Sequence, residues 1–202
     1  MSLLKVPSGQ EERALAILNA DPSVMYAERD SYVRALAQET PYGINSVRAP
    51  QTWPTSRGDG AIVAVLDTGF AIGHPDLPTP IMMQSFISGQ TVQDVNTHGT
   101  HCSGTVLGLD NDIGVIGVAP EAQLMIGKVL GDSGSGSDGS VGAGVNWATI
   151  NGAHVISLSL GGGGFTQAMQ DLYYAANEAD VLVVAAAGNS NNSNLFYPAA
   201  YD

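Results

Sequence analysis

The sequence is poor in cysteine and in basic residues, and it has no long apolar run. Its 202 residues include one cysteine, Cys102, which excludes an internal disulfide framework. Lysine and arginine together number 7 against 19 acidic residues, which gives a formal net charge of -12. Because this charge repels phosphate backbones, we expect no nucleic-acid partner. No apolar run approaches the roughly 20 residues that cross a bilayer, so we expect no membrane partner.

The composition is otherwise that of a compact domain. Apolar residues make up 44% of the chain and charged residues 13%, which is typical of a folded soluble protein and not of a disordered one. The N-terminus does not look like a signal peptide, because Lys5, Gln10 and Glu11 interrupt it early. These residues leave two alternatives open, a cytoplasmic protein or one from which a leader has been removed.

The first 36 residues are denser in charge than the rest of the chain. Within them, Gln10 to Leu18 predicts a short helix with Ser8 as a candidate N-cap. Val24 to Tyr26 and Tyr32 to Val33 are candidate short strands.

From residue 61 onward, continuous apolar runs alternate with segments of helical length. The predicted strands are Ala61–Leu66, Leu124–Leu130, His154–Leu160 and Val181–Ala187. The predicted helices are His98–Leu109, Ser140–Ile150 and Thr166–Glu178. Unbroken apolar strands that alternate with helices indicate a parallel sheet covered on both faces. The sequence therefore predicts a three-layer α/β fold around a mostly parallel sheet.

Polar and glycine residues follow the predicted strands. Asp67 comes after the first strand and Asn189 after the last, and His98 opens a predicted helix. In open α/β sheets, ligands bind at the carboxyl ends of the strands. A carboxylate, an imidazole and a carboxamide at one sheet edge are the groups of a hydrolytic site: an orienting acid, a base and an oxyanion donor.

Each of these residues also has another interpretation. The Asp67-Thr68-Gly69 sequence is found in aspartic proteases as well, and His98 and His101 have the spacing of a zinc pair, although no third ligand is evident. Asn189 is also compatible with an ordinary turn after Gly188. An aspartic hydrolase or a metallohydrolase therefore remains an alternative at this point.

Four motifs in this order resemble those of the subtilisin family of serine proteases, over about Ala37 to Asp202. They are Asp67-Thr68-Gly69 with His74-Pro75-Asp76-Leu77, Asn96 to Gly104, Ser157 to Gly162, and Ala185 to Asn189. The resemblance implies a subtilisin-like α/β fold and an endopeptidase that acts on protein or peptide substrates through a Ser-His-Asp triad. Cys102 is similar to the cysteine of the proteinase K and thermitase branches, where we expect a small buried residue and not a nucleophile.

The resemblance also implies a role for individual residues. His98 would be the general base, Asp67 would orient it, and Asn189 would donate to the oxyanion. The residues that would bind the substrate are Gly134, Ser135, Gly136, Ser159, Leu160, Gly161 and Ala186.

The family's nucleophile lies in a Gly-Thr-Ser motif that opens a helix, and no such motif follows Asn189. Ser190 and Ser193 lie too near Asn189 to replace it. We therefore expect the C-terminal strands and the serine helix to be missing from this chain, and the chain alone to be inactive. A non-catalytic peptide-binding pseudoprotease is the alternative.

The resemblance further implies a structural calcium ion. Its ligands would be Gln38, Asp76, Asn111 and the backbone carbonyls of Leu109, Ile113 and Val115. A solvated acidic turn is the alternative for this segment.

Ala37 to Gly43 resembles the N-terminus of a mature subtilisin. By that resemblance, residues 1–36 would be the C-terminal half of an inhibitory propeptide, a small α+β remnant, and residues 37–202 the incomplete catalytic domain. Val33 to Leu36 would occupy the cleft. The same resemblance implies secretion to an extracellular location.

Overall fold

The computed structural model describes residues 4–30 and 37–201, which belong to two compact units with a boundary after Leu36. In the first unit, helix α1 spans Glu11–Ala20 and buries none of its residues. The predicted helix is confirmed to within two residues, but its N-cap is Gln10 and not Ser8.

The strand predicted at Val24 to Tyr26 is wrong. These residues follow a turn in which the Asp21 carboxylate accepts hydrogen bonds from the backbone and hydroxyl of Ser23, at 2.8 and 2.7 Å. Such local side-chain bonds compete with strand pairing. The candidate strand at Tyr32 to Val33 and the segment Val33 to Leu36 lie outside the described residues.

The second unit is built on one parallel sheet of five strands. In chain order the strands are β1 (Ile62–Asp67), β2 (Met82–Ser85), β3 (Gln123–Lys128), β4 (Val155–Leu158) and β5 (Leu182–Ala185). Their spatial order is β2-β3-β1-β4-β5, and every pair is parallel. The predicted parallel sheet is confirmed, with shorter strands than the apolar runs. The strand β2 was not predicted, because the prediction relied on long apolar runs of buried strands. This edge strand has only four residues, and its Met82 and Met83 are 38% and 39% exposed.

Helices cover the sheet. In chain order they are α2 (Tyr42–Ser46), α3 (Ala49–Thr52), α4 (His98–Leu107), α5 (Asp138–Ile150) and α6 (Gln167–Glu178). The three longer helices are the predicted ones. The helices α2 and α3 span only 5 and 4 residues, which is too short to show a helical period.

Alternate residues of β1 face two separate cores. Ala64 and Leu66 belong to a cluster with Val145 of α5 and Met169 of α6, whereas Val65 belongs to a cluster that includes Leu107 of α4. Because successive strand residues point to opposite faces, these clusters place α5 and α6 on one side of the sheet and α4 on the other. The three-layer α/β architecture is confirmed. None of the helices in the described ranges is long and apolar enough to cross a membrane.

Candidate active site

The carboxyl end of β1 and the start of α4 bring together a carboxylate and an imidazole. Asp67, the last residue of β1, is 1% exposed, and His98, the first residue of α4, has a side chain that is 48% exposed. Asp67 Oδ1 lies 2.7 Å from His98 Nδ1, and the backbone N–H of Thr68 also donates to Oδ1 at 2.7 Å. Because Nδ1 is engaged by the buried carboxylate, Nε2 is the ring nitrogen left to exchange a proton at the surface.

Glycine makes this close approach of strand and helix possible. A Cβ atom added to Gly99 would lie 2.5 Å from the carbonyl oxygen of Gly69 and 3.1 Å from the Cβ atom of Asp67. Any larger residue at position 99 would therefore push α4 away from the end of β1. The distance between Asp67 and His98 depends on this contact.

Cys102 lies one helical turn after His98. Its Sγ is 3.8 Å from His98 Nδ1, and the side chain is half-buried. Burial raises the pKa of the thiol to about 11; a hydrogen bond with Ser159 partly offsets this effect, and interactions with Asp67 and Asp94 add to it. The thiol is therefore protonated at neutral pH and is a poor nucleophile.

Among the described residues, one group of side chains has the composition of a metal site, and it does not contain His101. Within residues 4–30 and 37–201, the group of three or more such side chains is Asp67, His98 and Cys102, whose ligand atoms lie within 4.8 Å of one another. Since His101 is exposed and outside this group, the geometry gives no support to a zinc pair of His98 and His101.

Asp94 is a residue of the site that the sequence analysis missed. Its Oδ1 accepts from the hydroxyl of Thr68 and the backbone N–H of Thr97, both at 2.9 Å, and its Oδ2 accepts from the hydroxyl of Thr100 at 2.6 Å. Thr68 Oγ1 in turn accepts from the backbone N–H of Gly99 at 2.9 Å. Asp94 therefore ties the end of β1 to the first turn of α4. Asp94 lies three residues before the N-cap residue Thr97, so no capping pattern in the sequence indicated it.

The titration of Asp94 reflects these bonds. Burial alone would raise the pKa of its carboxyl, but hydrogen bonds from the side chain and backbone of Thr100, from Thr68 and from Thr97 outweigh burial and lower the pKa. The carboxylate is consequently the charged acceptor that the helix start requires.

Lys128 is the second residue that the sequence analysis missed. It is 0% exposed and lies opposite Asp67 in the register of β3 and β1. Its Nζ donates to the carbonyl oxygen of Thr68 and, at 2.9 Å, to Asp132 Oδ1, while the Asp132 carbonyl accepts from Asn96 Nδ2 at 3.2 Å. This buried ammonium joins the end of β1 to the loop that follows β3. A lysine inside an apolar run was the only sequence signal for it.

A cleft of about 510 Å³ opens beside His98. It contains six of the seven residues predicted to bind substrate: Gly134, Ser135, Gly136, Ser159, Leu160 and Gly161. Ala186 is exposed and is not among the lining residues; its backbone N–H donates to the carbonyl oxygen of Leu158 at 3.0 Å, at the ends of β5 and β4. Asn189 is also exposed and is not among the lining residues.

The residues predicted to bind calcium form one network. Asp76 is 5% exposed; its Oδ2 accepts from the backbone N–H of Val115 at 2.8 Å. The Gln38 carboxamide nitrogen donates to the carbonyl oxygens of Leu109 and, at 3.2 Å, Ile113. The Asn111 Oδ1 accepts from the backbone N–H of Ile113 at 3.2 Å.

This network fits a hard cation. Asp76 Oδ1 is buried and has no hydrogen-bond partner among the described residues. An orphaned carboxylate oxygen, a carboxamide and backbone carbonyls supply the oxygen donors that Ca²⁺ prefers.

Comparison with known proteins identifies a family and several relatives of this chain. The model of the subtilase family matches residues 58–202. The chain is 46% identical over 186 residues to an alkaline protease of Alkalihalobacillus alcalophilus, covering 91% of this chain and 48% of that protein. It is 47% identical over 167 residues to subtilisin Savinase of Lederbergia lenta, covering 82% of this chain and 61% of that protein. It is 40% identical over 198 residues to subtilisin E of Bacillus subtilis strain 168, covering 95% of this chain and 52% of that protein.

The chain thus spans about half the length of most of these curated relatives. The family model nevertheless covers well over half of the chain, including the segment that carries the Asp67–His98 pair. This chain belongs to the subtilase family.

Proposed function

We propose that the protein is a serine endopeptidase of the subtilisin type that hydrolyses peptide bonds in protein or peptide substrates. The observation that carries this proposal is the 2.7 Å bond between the buried Asp67 carboxylate and the half-exposed His98 imidazole at the edge of a large cleft. The names of the relatives, alkaline protease and subtilisin, support the same reaction.

His98 is the general base in this proposal. Its Nε2 takes the proton from a serine hydroxyl as the serine oxygen attacks the peptide carbonyl, and it later gives that proton to the leaving amine. Asp67 keeps the other ring nitrogen protonated and stabilises the imidazolium that forms in between. The serine would come from a Gly-Thr-Ser motif, which these 202 residues do not contain, so the residues of this chain would not hydrolyse peptides by themselves.

Asn189 is the oxyanion donor in this proposal. It follows β5, the strand next to β4, and so belongs to the same sheet edge as Asp67. Loss of one carboxamide donor to the developing oxyanion lowers kcat by a factor of about 10²–10³, a figure that comes from subtilisin itself.

The substrate would bind as an extended strand in the cleft. Gly134–Gly136 and Ser159–Gly161 line it, and their backbone groups would pair with the peptide backbone, as in other proteins that recognise peptides by strand addition. Ala186, at the end of β5, would extend this surface.

A structural calcium ion would be held at the network around Asp76. The ligands would be Gln38, Asp76, Asn111 and the carbonyls of Leu109, Ile113 and Val115. Support comes from the buried Asp76 Oδ1, which has no partner within the described residues. The ion would neutralise Asp76 and tie the segment at Gln38 to the loop after α4.

Residues 1–36 would be the C-terminal half of an inhibitory propeptide that binds the catalytic part, and the protein would be secreted. The boundary of the two compact units after Leu36 supports the division of the chain. The similarity to subtilisin E covers 95% of the chain, which is more than residues 37–202 alone.

A serine-directed fluorophosphonate probe tests this function on the gene product that carries these residues. We expect labelling and peptide hydrolysis, and a loss of hydrolysis by about 10⁴-fold or more in His98→Ala, as removal of a triad member does in subtilisin. His101→Ala is the matched control, because His101 is an exposed histidine of the same helix, and it should keep the activity. A folded protein that binds peptides but is neither labelled nor active would be a pseudoprotease, and this result would contradict the proposal.

A further inference from the structure

The cleft has an apolar region with one acidic side chain. Val141, Met169 and Tyr173 line it and are 8%, 8% and 9% exposed, and Leu130 lies beside them. Asp138 is the only carboxylate among the described residues that line the cleft, and neither lysine nor arginine is found there. The charge of this cleft away from His98 is therefore set by Asp138.

Asp138 is held beside the apolar residues. It is the first residue of α5, and Ser137 caps this helix by accepting a hydrogen bond from the backbone N–H of Ser140 at 3.1 Å. Val141 follows one turn later on the same side of the helix. Asp138 and Tyr173 line the same cleft. Consistent with this placement, burial raises the pKa of the Tyr173 hydroxyl, and Tyr201 and the charge of Asp138 raise it further.

Asp138 is exposed, and it takes part in none of the ion pairs found within residues 4–30 and 37–201. An unpaired carboxylate at the rim of an apolar pocket is complementary to a long side chain with an apolar stem and a cationic end.

We infer that Asp138 makes the cleft select a lysine or arginine side chain at one position of the bound peptide. The methylene stem would lie on Leu130, Val141 and Met169, and the cationic end would reach Asp138. An acidic side chain at this position would be repelled. This inference rests on the proposed function, because it takes the cleft to be the peptide-binding site.

The magnitude follows from the exposure of Asp138. Ion pairs at exposed sites contribute little, so lysine should bind about threefold to fivefold more tightly than its uncharged analogue norleucine. Glutamate lacks the attraction and adds repulsion, so lysine should exceed glutamate by about tenfold.

Fluorescence anisotropy with labelled peptides tests this selectivity on the 202-residue chain. The peptides share one length and an apolar background, and lysine, norleucine or glutamate is placed at each position in turn. We expect the order lysine, norleucine, glutamate at one position. Asp138→Asn should abolish the advantage of lysine over norleucine. Asp180→Asn is the control, since it removes the same charge from an exposed residue outside the cleft whose φ of 59° asparagine tolerates.

The outcomes separate this inference from the proposed function. Equal binding of lysine and norleucine at every position would refute the selectivity and leave the peptide cleft in place. If the lysine preference survives in Asp138→Asn, or if Asp180→Asn removes it, then the preference comes from the net charge of -12 and not from Asp138. Either result would also refute the inference. Because residues 33–36 would themselves occupy the cleft, the peptides are also tested on a variant that lacks residues 1–36. If none of the peptides binds to either protein, the proposed function itself is contradicted. Thermal melts of all variants check that each is folded.

Discussion

Replacement of Asp94 should destabilise the domain substantially, because its carboxylate joins β1 to the start of α4. The Asp94 carboxylate, in a residue that is 8% exposed, accepts from two side chains and from backbone N–H groups at the start of α4. Hydrogen bonds to a charged group contribute about 1.5–3 kcal/mol, and a helix cap contributes about 1 kcal/mol. These terms overlap, because one carboxylate makes all the bonds. We expect a loss of about 2–4 kcal/mol for Asp94→Ala.

Asp94→Asn should lose less, about 1–2 kcal/mol, since one oxygen acceptor remains. The effect should also depend on pH. The folded-state pKa of Asp94 is lowered, so its contribution is fully present above the unfolded pKa of about 3.9 and is lost as pH falls through the lower folded value. The difference in stability between wild type and Asp94→Asn should therefore be constant near neutral pH and narrow below about pH 4.

Urea denaturation of the chain at pH 7, followed by circular dichroism, measures the free energy of unfolding, and thermal melts from pH 3 to pH 7 give its pH dependence. Asp180→Asn is the control and should leave both unchanged, because Asp180 is exposed. Neutral surface substitutions change the free energy of unfolding by no more than about 0.5 kcal/mol. If Asp94→Asn stays within this limit of wild type, Asp94 is not the acceptor at the helix start.

Three further changes have expected results. Gly99→Ala should cost about 1–3 kcal/mol in urea denaturation, because its Cβ would lie 2.5 Å from the Gly69 carbonyl oxygen, whereas Gly43→Ala, with open space around it, should be neutral or stabilising; equal costs would contradict the close-contact argument. A calcium chelator should lower the Tm of wild type, and Asp76→Asn should show no such response; a chelator effect that persists would place the ion elsewhere. The rate at which iodoacetamide alkylates Cys102 should keep rising with pH up to about pH 11, the pKa of the thiol. A rate that levels off near pH 9, as for an ordinary thiol, would contradict the raised pKa of this thiol.

Most of the sheet was predictable because its strands are unbroken apolar runs. The predicted strand ends were less accurate where long-range contacts end the strand. The run Leu124 to Leu130 continues past β3, but the backbone N–H groups of Val129 and Leu130 both turn to the carbonyl oxygen of Asp67, at 2.9 and 3.0 Å. An apolar pattern contains no information on this change of partner.

Asp67 and His98 were predictable because their residue types and their places at a strand end and a helix start indicate chemistry by themselves. Asp94 and Lys128 were not, because their roles come from partners distant in sequence. The Thr68 hydroxyl that binds Asp94 is 26 residues away, and the Thr68 carbonyl that binds Lys128 is 60 residues away. Only the fold brings these groups together.

Nitrogen NMR of the His98 imidazole tests whether Asp67 prepares His98 as a base. In the neutral ring of wild type, we expect a proton on Nδ1, donated to Asp67 Oδ1 across 2.7 Å, and a free Nε2. Asp67→Asn should move the proton to Nε2, while Asp180→Asn should leave it on Nδ1. A wild-type ring with its proton on Nε2 would contradict the account, because the nitrogen at the surface could not accept a proton from a nucleophile.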